Sequence, residues 1–272
     1  MKEVKLKKKL FGAFIEIILY DFSKKEADTI LKKTYKEALR LEKIFNIYDT
    51  SSELSILNKS KKKKVSPELL FVLKKALTLC KLTNGKYDVS QGEEFLARKK
   101  GLKISQKKCS YKDIKITKDV VTINNSEAII DLGSIAKGYI TDKIKEFLIK
   151  QGAKSGIINS RGDIALFGNS TTNVKIRHPR NPKKVIGSIN LRNTSVATSG
   201  DYTQYNKSFE NSHIINQNKF ISVTVIAKTL IEADLYATVF MICSDSLRKE
   251  ILKNKKGLKF LGIKSDLTII KV

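Results

Sequence analysis

Asp234 and Thr238 lie four residues apart in the stretch EADLYATVFMI, which is otherwise almost entirely apolar. On a helix the two side chains would share one face, and the remaining residues are apolar enough to be buried. A buried carboxylate and a buried hydroxyl both need partners. A hard cation such as Mg²⁺ would satisfy both oxygens. Alternatively, Asp234 occupies a favourable position in the first helical turn and Thr238 bonds to its own backbone.

A second group of polar residues lies in DLGSIAKG, which begins at Asp131. A strand-like AIID precedes it and a helical pattern follows, so we expect a helix to begin near Ser134. Free N–H groups at the start of this helix and the charge of Lys137 would suit a phosphate group, and Asp131 could accept a hydrogen bond from a sugar or base. The alternative is an ordinary turn, in which Asp131 caps the helix and Lys137 is solvated.

The elements that must position these residues are mixed in type. Helical periodicity predicts helices over residues 24–47, 66–83, 134–151, 231–244 and 246–254. Strand patterns cover residues 12–20, 113–124, 156–168, 172–178, 187–193 and 220–228, and two further strands close the chain. The sequence therefore predicts an α+β fold with several short, mostly antiparallel strands and flanking helices. We expect one domain over residues 1–272, or two closely joined subdomains.

Composition restricts the possible partners and location. The chain has 53 Lys and Arg against 27 Asp and Glu, a formal charge of +26, but this charge is spread along the sequence. Neither lysine run, at Lys7–Lys9 or Lys61–Lys64, is interleaved with aromatic residues, so we expect no nucleic-acid partner. Three widely spaced cysteines indicate neither disulfides nor zinc. No cleavage site, lipid-accepting cysteine or long apolar span is evident, which predicts a cytoplasmic protein without a transmembrane segment.

The order of several short motifs is more specific than any one of them. SSELSILN, DLGSIAKG, TSGDY, a single histidine at His213 and ADLYAT follow one another along the chain. In this respect the sequence resembles the ApbE-type FAD:protein FMN transferases, from about Phe11 to Ile242. The resemblance implies a Mg²⁺-dependent enzyme that splits FAD, joins FMN through its phosphate to a threonine or serine of an acceptor flavoprotein, and releases AMP.

The resemblance also implies roles for individual residues. Asp234 and Thr238 match metal ligands, and Ser134 matches a third ligand. Asp131 and Lys137 match FAD-contacting positions, and Lys137 would also help to clamp the phosphates. The remaining FAD-binding positions are Tyr48, Lys86, Tyr87, Asp88 and His213. His213 is one candidate for the base that activates the acceptor hydroxyl, since its unperturbed pKa is near 6.5, and His178 is a weaker candidate.

Some residues depart from the family pattern. Arg161 replaces the first glycine of a usual Gly-Gly-Asp, so the backbone conformation there is an open question. The segments after HIIN and DVS also lack familiar turn residues. Two other functions are possible: a Mg²⁺-dependent FAD pyrophosphatase that gives FMN and AMP, and a non-catalytic flavin-binding protein.

Overall fold

The computed structural model describes residues 3–10, 12–20, 22–99, 102, 109–202, 205–206, 208–212 and 217–272. The helices in these ranges are α1 (Lys24–Phe45), α2 (Glu53–Ser60), α3 (Pro67–Leu82), α4 (Gly92–Lys99), α5 (Ala136–Lys150), α6 (Leu230–Ile242) and α7 (Asp245–Asn254), with a short 3-10 helix at Tyr111–Asp113. The strands are β1 (Glu3–Leu10), β2 (Ala13–Tyr20), β3 (Lys62–Lys64), β4 (Ile114–Thr117), β5 (Val120–Ile123), β6 (Gly156–Ser160), β7 (Asp163–Phe167), β8 (Thr171–His178), β9 (Asn181–Arg192), β10 (Ser195–Gly200), β11 (Tyr205–Asn206), β12 (Ser208–Ser212), β13 (Phe220–Ala227), β14 (Lys259–Lys264) and β15 (Ile269–Lys271).

The largest sheet has eight strands in the order β1-β2-β6-β7-β10-β13-β14-β15, and each neighbouring pair is antiparallel. Because side chains alternate across a strand, Ile157 and Ile158 of β6 point to opposite faces. Ile158 joins the apolar core formed with the helices, whereas Ile157 packs with residues of the β8–β9 hairpin. The predicted α+β fold is confirmed.

The two long N-terminal helices are encoded locally, as the sequence predicts. Ser23 and Glu26 form a reciprocal capping box at the start of α1. At the start of α3, the Ser66 hydroxyl accepts a hydrogen bond from the backbone N–H of Leu69, and Pro67 occupies the first turn, where its missing N–H costs nothing. The predictions for residues 24–47 and 66–83 are therefore confirmed to within two residues at each end.

The lysine-rich start of the chain forms β1, although the prediction placed the first strand at residues 12–20. Val4 and Leu6 pack partly against the core, while the alternating Lys5 and Lys7 are exposed on the outermost strand of the sheet. Charged side chains are common on edge strands because they discourage pairing with another molecule. The structure likewise adds α2, α4 and β10, which sequence periodicity did not predict. In the described part of the chain, no helix is long and apolar enough to cross a membrane.

The close crossing of α5 and α6 depends on Gly138. A Cβ atom at this position would lie 2.5 Å from the backbone oxygen of Leu230, which is too close for any side chain. The absence of a side chain lets the backbone N–H of Gly138 donate a hydrogen bond of 2.9 Å to Oδ2 of Asp234. The two helices that carry the principal predicted site residues are thereby held against each other.

A tight turn joins β6 to β7. Ser160 pairs with Asp163, so the turn contains only Arg161 and Gly162, and both have positive φ angles of 57° and 96°. Two-residue hairpins favour this left-handed geometry because its twist matches that of the strands. The open question about the backbone at Arg161 is thus answered: the arginine adopts the conformation that glycine adopts without strain.

Candidate active site

A cavity of about 680 Å³ opens at one end of the eight-stranded sheet. Its walls come from the segment after α1, the segment between α3 and α4, the start of α5, the β6–β7 hairpin, β10 and α6. Of the predicted site residues in the described part of the chain, all except the weaker candidate base His178 line it: Tyr48, Lys86, Tyr87, Asp88, Asp131, Ser134, Lys137, Asp234 and Thr238. His213 lies outside the described residues.

Lys137 forms ion pairs with two buried carboxylates. Its ammonium group donates a hydrogen bond to Asp163 and lies 3.3 Å from Oδ1 of Asp234, and both carboxylate side chains are almost fully buried. Burial lowers the pKa of Lys137, but the two carboxylates outweigh this effect and raise it above the ordinary value. The lysine therefore stays charged and is not the solvated residue of the simpler interpretation.

Asp234 is fixed from two sides. Oδ1 faces Lys137, and Oδ2 accepts the hydrogen bond from the Gly138 backbone. Burial raises the pKa of this carboxyl group above its ordinary value, while Lys137 and the Gly138 N–H act in the opposite direction. One turn later on α6, the Thr238 hydroxyl lies 3.1 Å from the Ser199 hydroxyl on β10, so Asp234 and Thr238 do face the same cavity.

The Tyr87 hydroxyl is hydrogen-bonded to the hydroxyl of Ser134, 2.8 Å away. Burial raises the pKa of the Tyr87 phenol well above its ordinary value, so the phenol stays protonated. Helix α5 begins at Ala136, two residues later than predicted, and Ser134 therefore belongs to the preceding turn. As a result, the Ser134 side chain is oriented by Tyr87 and does not cap the helix.

Asp88 and Asp131 stabilise the loops in which they lie. Oδ1 of Asp131 accepts a hydrogen bond of 2.9 Å from the backbone of Gly133. Oδ1 of Asp88 accepts hydrogen bonds from the backbone and hydroxyl of Ser90, and Oδ2 accepts one from the backbone of Tyr111. Such side-chain bonds are typical of aspartate in turns. Any contact of either carboxylate with a ligand must share oxygens with these loop bonds.

Aromatic side chains also line the cavity. Phe45, Tyr48 and Phe95 contribute to its wall, and Tyr48 is 60% exposed. Exposed aromatic rings beside a cavity suit a flat ligand, because stacking removes apolar surface from water. The cavity thus combines a surface for a planar ring system with a group of charged and hydroxyl side chains.

His178 does not line the cavity. Its Nδ1 accepts hydrogen bonds of 3.1 Å from the backbone N–H groups of both Arg180 and Asn181, so it organises the β8–β9 turn. A general base must lie within hydrogen-bonding reach of the group that it deprotonates, and His178 does not have this position relative to a substrate in the cavity.

The sequence model of the ApbE family matches residues 11–261. The chain belongs to the ApbE family. The predicted resemblance is confirmed over nearly the whole chain.

Known proteins of similar sequence support this assignment. The FAD:protein FMN transferase of Vibrio cholerae is 28% identical over 252 aligned residues, which cover 80% of this chain and 75% of that protein. The enzyme of the same name from Haemophilus influenzae is 26% identical, with 86% of this chain and 80% of that protein covered. A shorter match, 33% identical, covers 40% of this chain and 37% of a Klebsiella pneumoniae FAD:protein FMN transferase.

Solved ApbE structures share the fold. The ApbE protein of Thermotoga maritima superposes with a TM-score of 0.85 at 22% identity, covering 99% of this chain and 97% of that chain. The flavin transferase ApbE of Vibrio cholerae gives a TM-score of 0.81, also at 22% identity, and the superposition covers 100% of this chain and 96% of that chain.

Asp163 and Ser199 were not predicted as site residues in this ApbE chain. Asp163 pairs with Lys137 through one carboxylate oxygen, while its other oxygen accepts a hydrogen bond of 3.0 Å from the backbone of Thr198. Both residues do lie in conspicuous segments, SRGD and TSGD, each with a polar residue beside a glycine at the end of a strand. Polar residues at such strand ends were the signal that could have identified them.

The oxygen atoms around Lys137 fit Mg²⁺ by their chemistry. Within the described ranges, no three or more His, Cys, Asp or Glu side chains cluster as metal ligands. The oxygen donors that line the cavity are instead the carboxylates of Asp234 and Asp163 and the hydroxyls of Thr238 and Ser134, and a metal would have to share the carboxylate oxygens with their present partners. Mg²⁺ prefers hard oxygen ligands and usually retains sites for water or phosphate oxygens, so a small protein donor set is compatible with this ion.

Proposed function

We propose that this protein is a Mg²⁺-dependent FAD:protein FMN transferase. The observation that carries the proposal is the single cavity in which an aromatic wall and the Lys137–Asp163–Asp234 cluster lie together in a member of the ApbE family. A dinucleotide with a flat flavin ring and a charged diphosphate has the same two chemical parts. The proposal assigns FAD as the substrate and a threonine or serine of a flavoprotein as the acceptor.

The proposed reaction is a phosphoryl transfer. The acceptor hydroxyl oxygen attacks the phosphorus on the FMN side of the diphosphate, a new P–O bond forms, and the bond between this phosphorus and the bridging oxygen breaks. AMP leaves with the bridging oxygen, and the hydroxyl proton passes to a base. Little covalent chemistry is required of the protein, whose main tasks are positioning and electrostatic stabilisation.

Asp234 and Thr238 would hold Mg²⁺, with Ser134 as a third ligand as the family resemblance implies. When bound, the metal neutralises charge that develops on the diphosphate and the departing AMP. Lys137 fixes Asp163 and Asp234 in place, since its ammonium group contacts both. These contacts make Lys137 primarily a positioning residue, in addition to the phosphate role implied by the resemblance.

Tyr48 and Tyr87, with Lys86, Asp88 and Asp131, form the proposed flavin-nucleotide side of the site. Tyr48 offers an exposed ring, whereas the buried Tyr87 orients Ser134. His213 remains the proposed base.

The experiment that tests this function combines the purified protein with FAD, Mg²⁺ and a threonine-containing acceptor flavoprotein. Mass spectrometry should show the acceptor gaining FMN through a phosphoester bond, and chromatography should show an equal amount of AMP. AMP released at the same rate without an acceptor would indicate the pyrophosphatase instead. FAD binding without either product would indicate a non-catalytic flavin-binding protein.

Asp234→Ala provides the matching site variant. It should abolish turnover and keep the fold, because it removes an anionic ligand from the proposed metal site. Glu232→Gln is the matched control, since Glu232 lies on the same helix but does not line the cavity. Near-normal turnover of Asp234→Ala at limiting Mg²⁺ would contradict the metal assignment.

A further inference from the structure

Arg161 occupies an unusual backbone conformation at the edge of the cavity. Its φ angle of 57° lies in the left-handed region, which residues with a Cβ atom adopt at a cost. The following Gly162 N–H donates a hydrogen bond of 2.9 Å to Oδ1 of Asn159, and this bond holds the turn closed. Non-glycine residues in such conformations concentrate at functional sites, where the surrounding structure maintains the strain.

Arg161 lines the cavity and is exposed. Across the described part of the chain, no carboxylate, hydrogen-bond acceptor or aromatic ring contacts its guanidinium group. Packing or ion pairing inside the protein therefore does not explain why an arginine occupies this turn. A contact with a ligand in the cavity would explain it.

The charges that line the cavity favour such a contact. The described lining includes three cations, Lys86, Lys137 and Arg161, and four carboxylates, Asp88, Asp131, Asp163 and Asp234. The ammonium group of Lys137 already contacts Asp163 and Asp234, so it is poorly available to an anionic ligand. With Arg161 included, the described lining carries one net negative formal charge, so a diphosphate there needs Arg161 as well as the Mg²⁺ of the proposed function to offset repulsion.

Arg161 is also close in sequence to this charged cluster. Asp163, the partner of Lys137, follows it by two residues at the other end of the same turn. Arg161 therefore lines the cavity two residues from the charged cluster, which the proposed function assigns to the diphosphate. Guanidinium binds phosphate oxygens through paired hydrogen bonds, which a single ammonium group cannot reproduce.

We propose that Arg161 binds the diphosphate of FAD and thereby selects the dinucleotide over flavins that lack it. This inference rests on the proposed function and adds a residue to it. Arg161 supplies a cation that, unlike Lys137, is not held by carboxylates in the described part of the chain.

Arg161→Gly distinguishes the proposed binding role from the backbone strain. Loss of the side chain should weaken FAD binding, whereas relief of the strain should raise thermal stability. Glycine adopts a positive φ angle freely, so the variant should unfold at a higher temperature than the wild type. Loss of charge-assisted hydrogen bonds should weaken FAD binding roughly ten- to a hundredfold, as measured by calorimetry at fixed salt. Binding of riboflavin, which has no phosphate, should change by less than about twofold since no such bond is lost.

Lys118→Gly is a matched control. Lys118 also has a left-handed φ angle, of 56°, in the two-residue turn between β4 and β5, and it does not line the cavity. Like Arg161→Gly, this substitution removes one positive charge and relieves the strain of a left-handed backbone. It should therefore raise thermal stability without changing FAD binding. Arg161→Lys should bind FAD with intermediate affinity, since it keeps the charge and loses the paired hydrogen bonds.

Three results would overturn the inference. Wild-type affinity of Arg161→Gly for FAD would exclude a diphosphate contact, and equal weakening of FAD and riboflavin would indicate a change in cavity shape. An increase in KM for the acceptor protein at unchanged FAD affinity would assign Arg161 to acceptor binding. If the wild type itself fails to bind FAD, the proposed function fails as well, and this outcome is distinct from the other three.

Discussion

Asp142 on α5 accepts a hydrogen bond of 2.8 Å from the backbone N–H of Ile231, in the first turn of α6. Its other carboxylate oxygen accepts a bond of 3.0 Å from the backbone N–H of Leu230. Thr229, at the N-cap position of α6, makes no side-chain capping bond. The first N–H groups of a helix lack partners within it, so a side chain from a neighbouring helix caps the helix that carries Asp234 and Thr238.

Asp142→Asn should lower the free energy of unfolding by about 1–2 kcal/mol, because the amide replaces one acceptor oxygen with a donor facing a backbone N–H. Urea denaturation measures this loss. Asp142 does not line the cavity. Any change in the FAD affinity of this variant would therefore reflect a change in the position of α6. A fully stable variant would show that the cap contributes little.

Gly138→Ala tests the helix crossing. Helix propensity alone would make alanine about 1 kcal/mol more favourable. The new Cβ would lie 2.5 Å from a backbone oxygen that cannot move independently, so overpacking should dominate, with a net destabilisation of about 1–3 kcal/mol.

Catalytic activity of Gly138→Ala should fall with stability, since the Gly138 N–H also positions Asp234. Gly187→Ala is the control, because a Cβ there would meet nothing within 4 Å. Equal thermal unfolding of the two variants would contradict the importance of the close contact.

Lys137→Met should destabilise the protein by about 3–5 kcal/mol, because it leaves two buried carboxylates without their shared cation. Activity should be lost as well, and a higher FAD concentration should be needed for any remaining turnover. Lys143→Met is the control: Lys143 lies on the same helix, but its ion pair with Glu146 is exposed and should contribute less than about 1 kcal/mol.

Mg²⁺ should raise the melting temperature of Lys137→Met more than that of the wild type. The unneutralised pair of Asp163 and Asp234 should bind a divalent cation more tightly, and a ligand that binds only the folded state stabilises it. Calorimetry with and without Mg²⁺ measures the difference. A Lys137→Met protein as stable as the wild type without divalent ions would argue against charge compensation by Lys137.

Tyr48→Ala should weaken FAD binding roughly tenfold through lost stacking, if stacking on the flavin resembles base stacking on aromatic side chains. The free energy of unfolding should change little, since Tyr48 is already 60% exposed. Phe14→Ala removes a comparably exposed ring, 52% exposed, that does not line the cavity. FAD titration by flavin fluorescence should separate the two variants, and equal affinities would place the flavin elsewhere.

Several features of the protein could be predicted from the sequence because short-range physics determines them. The apolar positions of α1 and α3 repeat at helical spacing, and their serine caps are adjacent in the chain. The four-residue spacing of Asp234 and Thr238 likewise requires only that α6 be a helix. Motif order was sufficient for the family, and the described residues that it singled out lie around one cavity, whereas their individual roles stay predictions. The cytoplasmic location and the absence of a nucleic-acid partner stay predictions.

Features that depend on distant partners could be established only from the tertiary structure. Lys137 looked like a residue available to phosphate, yet its ammonium group contacts Asp163, 26 residues away, and Asp234 on another helix. The Gly138 N–H reaches Asp234 across 96 residues. The sequence likewise showed that Arg161 stood where a glycine was expected, and the turn geometry showed what its backbone does. The local sequence pattern determines which face of a helix or strand a side chain occupies. The partners of that side chain depend on which elements pack together, because ion pairs and close backbone contacts require proximity in space.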